Sequence, residues 1–151
     1  MKKIIVYVVS VLIASSTFAA APGTKLVQKF HQTFPNAQNI KWRDDKDGYF
    51  VSFTQNGNFN KAFYNTAGQF VYSLKYSNGD ALPTNILVSV NKNFSGSKII
   101  GVTEVGTQSN TVYNIKLSKG DKLYTLDVLP DGTVTQQETF DTNGVNIASV
   151  K

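Results

Sequence analysis

The chain has 151 residues, with 15 Lys and Arg against 10 Asp and Glu, one His and no Cys. Without cysteine there is no disulfide framework, thiolate nucleophile or thiolate zinc site, and a lone His31 cannot form a histidine pair on a metal. The formal charge of +5 acquires meaning only once the mature chain is defined.

Met1-Lys2-Lys3 is a basic start, and Ile4 to Ile13 is apolar except for Ser10, which is shorter than the roughly 20 residues of a membrane-spanning helix. Thr17 and Ala19 then satisfy the small-x-small rule. This predicts a signal peptide over residues 1–19, cut after Ala19, with export to the periplasm or the extracellular space and no membrane span in the remainder. Cleavage leaves 151 − 19 = 132 residues, and loss of Lys2 and Lys3 lowers the charge to 13 − 10 = +3. The remaining cations are scattered along the chain with Arg43 as the sole arginine. A nucleic-acid binder needs a clustered basic stripe with Arg reading the bases, so no nucleic-acid partner is expected.

Residues 20–151 fit one domain. Leu26, Phe30 and Phe34 recur at i, i+4, i+8 with Val27 alongside, after a Thr24 able to cap and before Pro35; this is a short amphipathic helix. Turn pairs follow at Asp47-Gly48, Asn56-Gly57, Ala67-Gly68 and Asn78-Gly79, a spacing suited to consecutive antiparallel hairpins. The runs between them, Asn39–Arg43, Tyr49–Thr54, Phe59–Tyr64 and Gln69–Tyr76, read as strands. The order then repeats. Ile86, Val90 and Phe94 form a second helical stripe after Pro83, and strand-like runs follow at Lys98–Val105, Thr111–Ser118, Lys122–Leu129 and Thr133–Phe140.

At an offset of 60, Leu26 meets Ile86, Phe30 meets Val90, Phe34 meets Phe94, Ile40 meets Ile100 and Trp42 meets Val102. Beyond an insertion around Gly106 to Asn110 the offset becomes 64, and Val51 meets Ile115, Phe53 meets Leu117 and Gly68 meets Gly132. Two constant offsets indicate two helix-plus-four-strand repeats, 24–79 and 82–140, with a tail over 141–151. The expected fold is α+β: a tandem repeat of a helix and a four-stranded antiparallel meander, forming one eight-stranded antiparallel sheet. Both helices lie on one face over a shared core, and the other face is free for function.

No Gly-x-Ser-x-Gly elbow, dinucleotide fingerprint or Walker loop is present, and no cofactor is expected. Asp44, Asp45 and Asp47 cluster in a turn but lack the ligand spacing of a calcium loop, and His31 reads as a helix-flank residue. The strands are instead rich in rings. Period 2 puts Phe50 opposite Tyr49, Val51 and Phe53, separates Phe63 from Tyr64, and aligns Tyr72 with Phe70 and Tyr76. Trp42, Phe50, Tyr64, Tyr72, Tyr76, Tyr113 and Tyr124 are the candidate binding residues, since Trp and Tyr favour interfaces.

The leader, the helix ending in Phe34-Pro35, the Ile40-Lys41-Trp42 strand, Tyr49-x-Val51-x-Phe53 and Gly68 before Phe70 resemble the PepSY-like periplasmic proteins with a β-lactamase-inhibitor-protein-like fold. The resemblance covers the mature chain as two tandem copies and implies one concave sheet; the namesake inhibitor clamps an enzyme with that face. The present sequence departs in having no Cys and in placing Val102 opposite Trp42, so inhibition of a β-lactamase does not carry over. The expected function is a secreted, non-enzymatic module that binds a protein or peptide through its helix-free face, with an inhibitor-like use as one form of that binding. The alternative is a binder of a small ligand or cell-envelope polymer, and a third class is a hydrolase using Asp44, Asp45 or Asp47.

Overall fold

The computed structural model describes residues 22–141 and 146–150; the expected leader, 1–19, lies outside them. Helix α1 (Thr24–Thr33) precedes β1 (Gln38–Asp45), β2 (Gly48–Gln55), β3 (Asn58–Asn65) and β4 (Phe70–Ser77). Helix α2 (Thr84–Asn93) precedes β5 (Lys98–Gly106), β6 (Thr111–Lys119), β7 (Lys122–Val128), β8 (Val134–Asp141) and β9 (Asn146–Val150).

Each helix buries one stripe, Leu26 and Phe30 in α1, Ile86 and Val90 in α2. Thr24 does not cap as expected. The Gly23 carbonyl already accepts the amides of Leu26 and Val27 at 2.9 and 3.2 Å, so the first turn closes one residue earlier and Gly23 is the N-cap, without a side-chain bond. Both helices end alike, with the Phe34 amide donating to Phe30 and the Phe94 amide to Val90, each at 2.8 Å.

The strands form one antiparallel sheet in sequence order, β1 to β9. The ninth strand comes from the expected tail: Val150 pairs with Gln137, Ser149 with Glu138 and Ala148 with Thr139. Alternation fixes two faces. Trp42 pairs with Val51 and Val51 with Ala62 on one of them, and Ser77, on the same side of β4, pairs with Val102 and through it with Ile115. Both helices therefore cover the same face.

The core beneath them is not shared, contrary to expectation. One cluster joins Leu26 and Phe30 to Val51, Phe53, Ala62 and Tyr64; the other joins Ile86 and Val90 to Val102, Ile115, Leu117 and Leu126. Between them the helix side of β4 and β5 carries Ser73, Lys75, Ser77 and Glu104, with Lys75 Nζ 2.8 Å from Glu104 Oε2. An ion pair about one-third exposed favours hydration over closure of an apolar layer, so the continuous sheet spans a polar seam.

Two bulges reset the side-chain parity inferred from spacing alone. In β5 the register shifts between Ile99 and Gly101, at the place where β1 shifts between Gln38 and Lys41; Ile40 and Ile100 hold matching positions, but Ile40 packs on the first core, whereas Ile99 packs on the second and Ile100 is 50% exposed. In β4 a shift pairs Tyr64 with Phe70 but Phe63 with Tyr72. Phe70 therefore packs toward α1 and Tyr72 turns to the opposite face, where the unbroken alternation had placed them together.

Candidate binding face

The helix-free face of β1–β4 is built from three cross-strand rows. The first runs Arg43–Phe50–Phe63–Tyr72, the second Lys41–Ser52–Lys61–Leu74 and the third Thr54–Phe59–Tyr76. Registered side chains on one face stand about 5 Å apart across neighbouring strands, which is ring-contact distance. Phe50 and Phe63 have centroids 4.7 Å apart, Phe63 and Tyr72 5.6 Å, and Phe59 and Tyr76 5.7 Å in a stacked pair. The Arg43 guanidinium lies 5.1 Å from the Phe50 centroid and the Lys61 ammonium 5.8 Å from that of Phe59, both within cation–π range. Phe59 is 45% exposed.

Of the seven candidate residues, three belong to this surface: Phe50, Tyr72 and Tyr76. The other four lie on the helix side. Trp42 packs edge-on against Phe30 at 5.4 Å, because its pairing with Val51 points it under α1. Tyr113 and Tyr124 pack against the second core; Tyr124 meets Phe94 edge-on at 5.6 Å and its margin borders a groove of about 700 Å³ between α2 and β8. Burial and the nearby Glu104 carboxylate raise the Tyr113 phenol, partly offset by Lys75.

Tyr64 is the clearest departure, being 1% exposed within the first core. Its hydroxyl has no hydrogen-bond partner among the described residues. Thr33, the polar neighbour that would ease its ionisation, donates instead to the Lys29 carbonyl at 3.0 Å, and burial pushes the phenol from 10.0 to about 12. A raised acid pKa means that the folded chain resists ionisation more than the unfolded one. That stabilisation is complete below pH 10 and is lost as pH rises through the folded value near 12. Two units correspond to about 2–3 kcal/mol. Tyr64→Phe is expected to be about 1 kcal/mol more stable at pH 7, because it removes an unsatisfied buried hydroxyl, and to lose much less stability than wild type between pH 9 and 11.5, Tyr113 supplying the residue. Urea unfolding at the two pH values measures both; an identical alkaline loss in the variant would show that Tyr64 is not the group responsible.

Phe63, Phe59, Lys41, Arg43, Lys61 and Leu74 complete the face and were not among the candidates. Their signal was available in principle, since each lies one position from a residue on the helix side of its strand, but assembling them requires the register of three hairpins. Lys41, Arg43, Phe50, Ser52, Lys61 and Leu74 border a depression of about 350 Å³ on this face. The acids form no comparable site. Asp44, Asp45 and Asp47 are strung along the β1–β2 hairpin, where Asp45 accepts the Asp47 amide at 3.4 Å, and no group of three or more metal-ligating side chains occurs among the described residues. His31 is exposed on α1, edge-on to Phe30 at 5.4 Å.

No protein-family model matches the sequence, and no curated protein is similar enough to align with it. Solved structures share its fold. A DUF2874 family protein from Bacteroides ovatus superposes with a TM-score of 0.66 at 22% identity, over 78% of this chain and 87% of its own. A Bacteroides eggerthii protein provisionally described as periplasmic gives 0.65 at 20%, over 83% and 95%. A BLIP-like protein from Bacteroides fragilis gives 0.66 at 16%, over 78% and 86%. No helix among the described residues is long and apolar enough to cross a membrane.

Proposed function

We propose that the chain is an exported, non-enzymatic binding module, built from a duplicated helix-and-meander unit, that takes a protein or peptide on the helix-free face of β1–β4. The observation that carries this reading is the continuous Phe50–Phe63–Tyr72 row beside the stacked Phe59–Tyr76 pair. Rings of this kind on a sheet face, with no helix over them among the described residues, offer large contact area at low entropic cost. They lie in rows across rigid strands, a geometry suited to an extended segment or a protein surface rather than to an enclosed small ligand.

Export is supported by the basic, apolar and small segments of residues 1–19, and the neighbour provisionally described as periplasmic is consistent with it. The resemblance to the PepSY-like periplasmic proteins is consistent with the same reading, and the BLIP-like neighbour makes an inhibitor-like use of the face a natural form of that activity. The element order supports duplication, as do the matched docking contacts. Lys29 on α1 donates to the Gly68 carbonyl at 3.4 Å, and Ser89 on α2 to the Gly132 carbonyl at 2.6 Å.

The reading is tested by comparing immobilised wild type with Phe63→Ser/Tyr72→Ser for capture from a cell-envelope extract. Both substitutions are on the free face, and circular dichroism verifies the fold. At least one partner should fall tenfold or more in yield; equal capture of every protein by both forms would overturn the assignment of the face.

A further inference from the structure

Resting on that reading, we infer that the segment bound on this face is acidic, with a carboxylate seated among Lys41, Arg43 and Lys61 and an adjacent apolar side chain laid on the Phe63–Tyr72 rings. Lys41 and Arg43 lie two apart on one face of β1, and register brings Lys61 of β3 to them. Lys41 and Lys61 flank Ser52 in one row, and Arg43 precedes Phe50 in the next. Residues two apart along a strand are separated by about 7 Å and alternate strands by about 10 Å, so three long basic side chains can reach one anionic group. They surround the depression floored by Phe50, Ser52 and Leu74.

No carboxylate among the described residues forms an ion pair with any of the three; the ion pairs found there are Lys46–Asp47 and Lys75–Glu104. Arg43 and Lys61 are held instead over aromatic rings, which leaves their hydrogen-bond donors free. A guanidinium in that position can take a carboxylate with two parallel bonds while its face stays on the ring.

Charge elsewhere on the same face limits the size of the anion. Across the sheet, β6–β8 present Lys116 with Asp127 and Glu138. Asp127 accepts from Asn114 at 2.8 Å and Glu138 from Gln136 at 3.1 Å. A long polyanion or a flat anionic surface lying along the whole sheet would meet these carboxylates, and like charges brought together oppose binding. A short acidic stretch confined to β1–β4 meets only the basic half, where Asp45 stands at the margin. The chemistry that fits is therefore Asp or Glu next to an aromatic or aliphatic residue in an extended or loop segment.

The test selects a displayed library of random twelve-residue peptides on wild type, then measures the enriched peptide and its Glu→Gln or Asp→Asn counterpart by titration calorimetry. Lys41→Gln/Arg43→Gln/Lys61→Gln and Phe63→Ser/Tyr72→Ser are measured in parallel, with Lys41→Arg/Lys61→Arg as the charge-keeping control. The expected result is enrichment of an acid beside an apolar residue. Affinity should fall at least tenfold on neutralising either the peptide acid or the three cations, and be retained in the control. Peptides lost only in the ring variant, and indifferent to charge, would overturn the acidic partner while leaving the binding face intact. No peptide enriched over the ring variant would overturn both. Binding to phosphatidylglycerol vesicles that disappears in the triple variant, without an acidic peptide preference, would assign the cations to a lipid surface and overturn the inference.

Discussion

Phe30→Ala is expected to destabilise the protein by about 3–5 kcal/mol, the range for removing a fully buried ring that leaves a cavity. Phe30 is 0% exposed and is the hub of the first core. Its ring lies 5.0 Å from Phe53, 5.4 Å from Phe34 and 5.4 Å from Trp42. The neighbours cannot collapse into the space, because Phe53 and Trp42 are fixed by strand pairing and α1 is held through its single stripe. The loss should also be uneven. The second cluster has its own helix and shares no residue with the first, and the Lys75–Glu104 seam lies between them. Amide exchange should therefore accelerate in β1–β3 by a larger factor than in β6 and β7. Urea unfolding measures the first effect and exchange the second. Equal acceleration in both halves would mean that the continuous sheet couples the cores more strongly than their separate packing implies.

The parts of this fold legible in the sequence are those encoded by local periodicity. Both helices, eight strands and their order follow from i, i+4, i+8 stripes and Gly turn pairs, because each signal needs only ten or so neighbouring residues. The ninth strand had a weaker signal: Asn143-Gly144 precedes a run that includes Val145, Ile147 and Val150, but a short run of this kind reads equally well as a tail. Side-chain orientation was less legible. A bulge inverts parity without leaving a residue-type mark, so Tyr72 and Ile100 each fall on a face that unbroken alternation denies them. The proposed binding face was least legible of all. Trp42, Tyr64, Tyr113 and Tyr124 are aromatic for the core's sake, and composition cannot separate a ring under a helix from one in the open. Likewise Lys61 looks unrelated to Lys41 and Arg43 in sequence, because its proximity to them exists only once β1, β2 and β3 are in register.

The register itself depends on one glycine. Gly48 opens β2 opposite Asp45 on one side and Asn65 on the other, and its φ of +152° is one that a residue with a side chain rarely adopts. A Cβ at this position would overlap the Tyr64 carbonyl oxygen and stand 2.8 Å from Asn65 Cα. Both obstacles are backbone of the adjacent strand, so no rotamer change relieves them. Gly48→Ala should therefore cost about 4 kcal/mol, overpacking and backbone strain each contributing roughly 1–3 kcal/mol. Gly57, in the next hairpin, separates the two contributions: it has a φ of +77°, but among the described residues nothing lies within 4 Å of where a Cβ would stand. Gly57→Ala should lose only the conformational part, about 1–2 kcal/mol. Relief of the Gly48→Ala clash requires β2 and β3 to part near Tyr64, which moves Phe50 away from Phe63 and breaks the aromatic row at its second ring. The variant should thus lose affinity for an acidic peptide as well as stability, whereas Gly57→Ala should keep its affinity. Urea unfolding and peptide titration on the two variants measure this contrast; equal costs for both substitutions would show that the sheet opens at Gly48 without resistance and that the face does not depend on that contact.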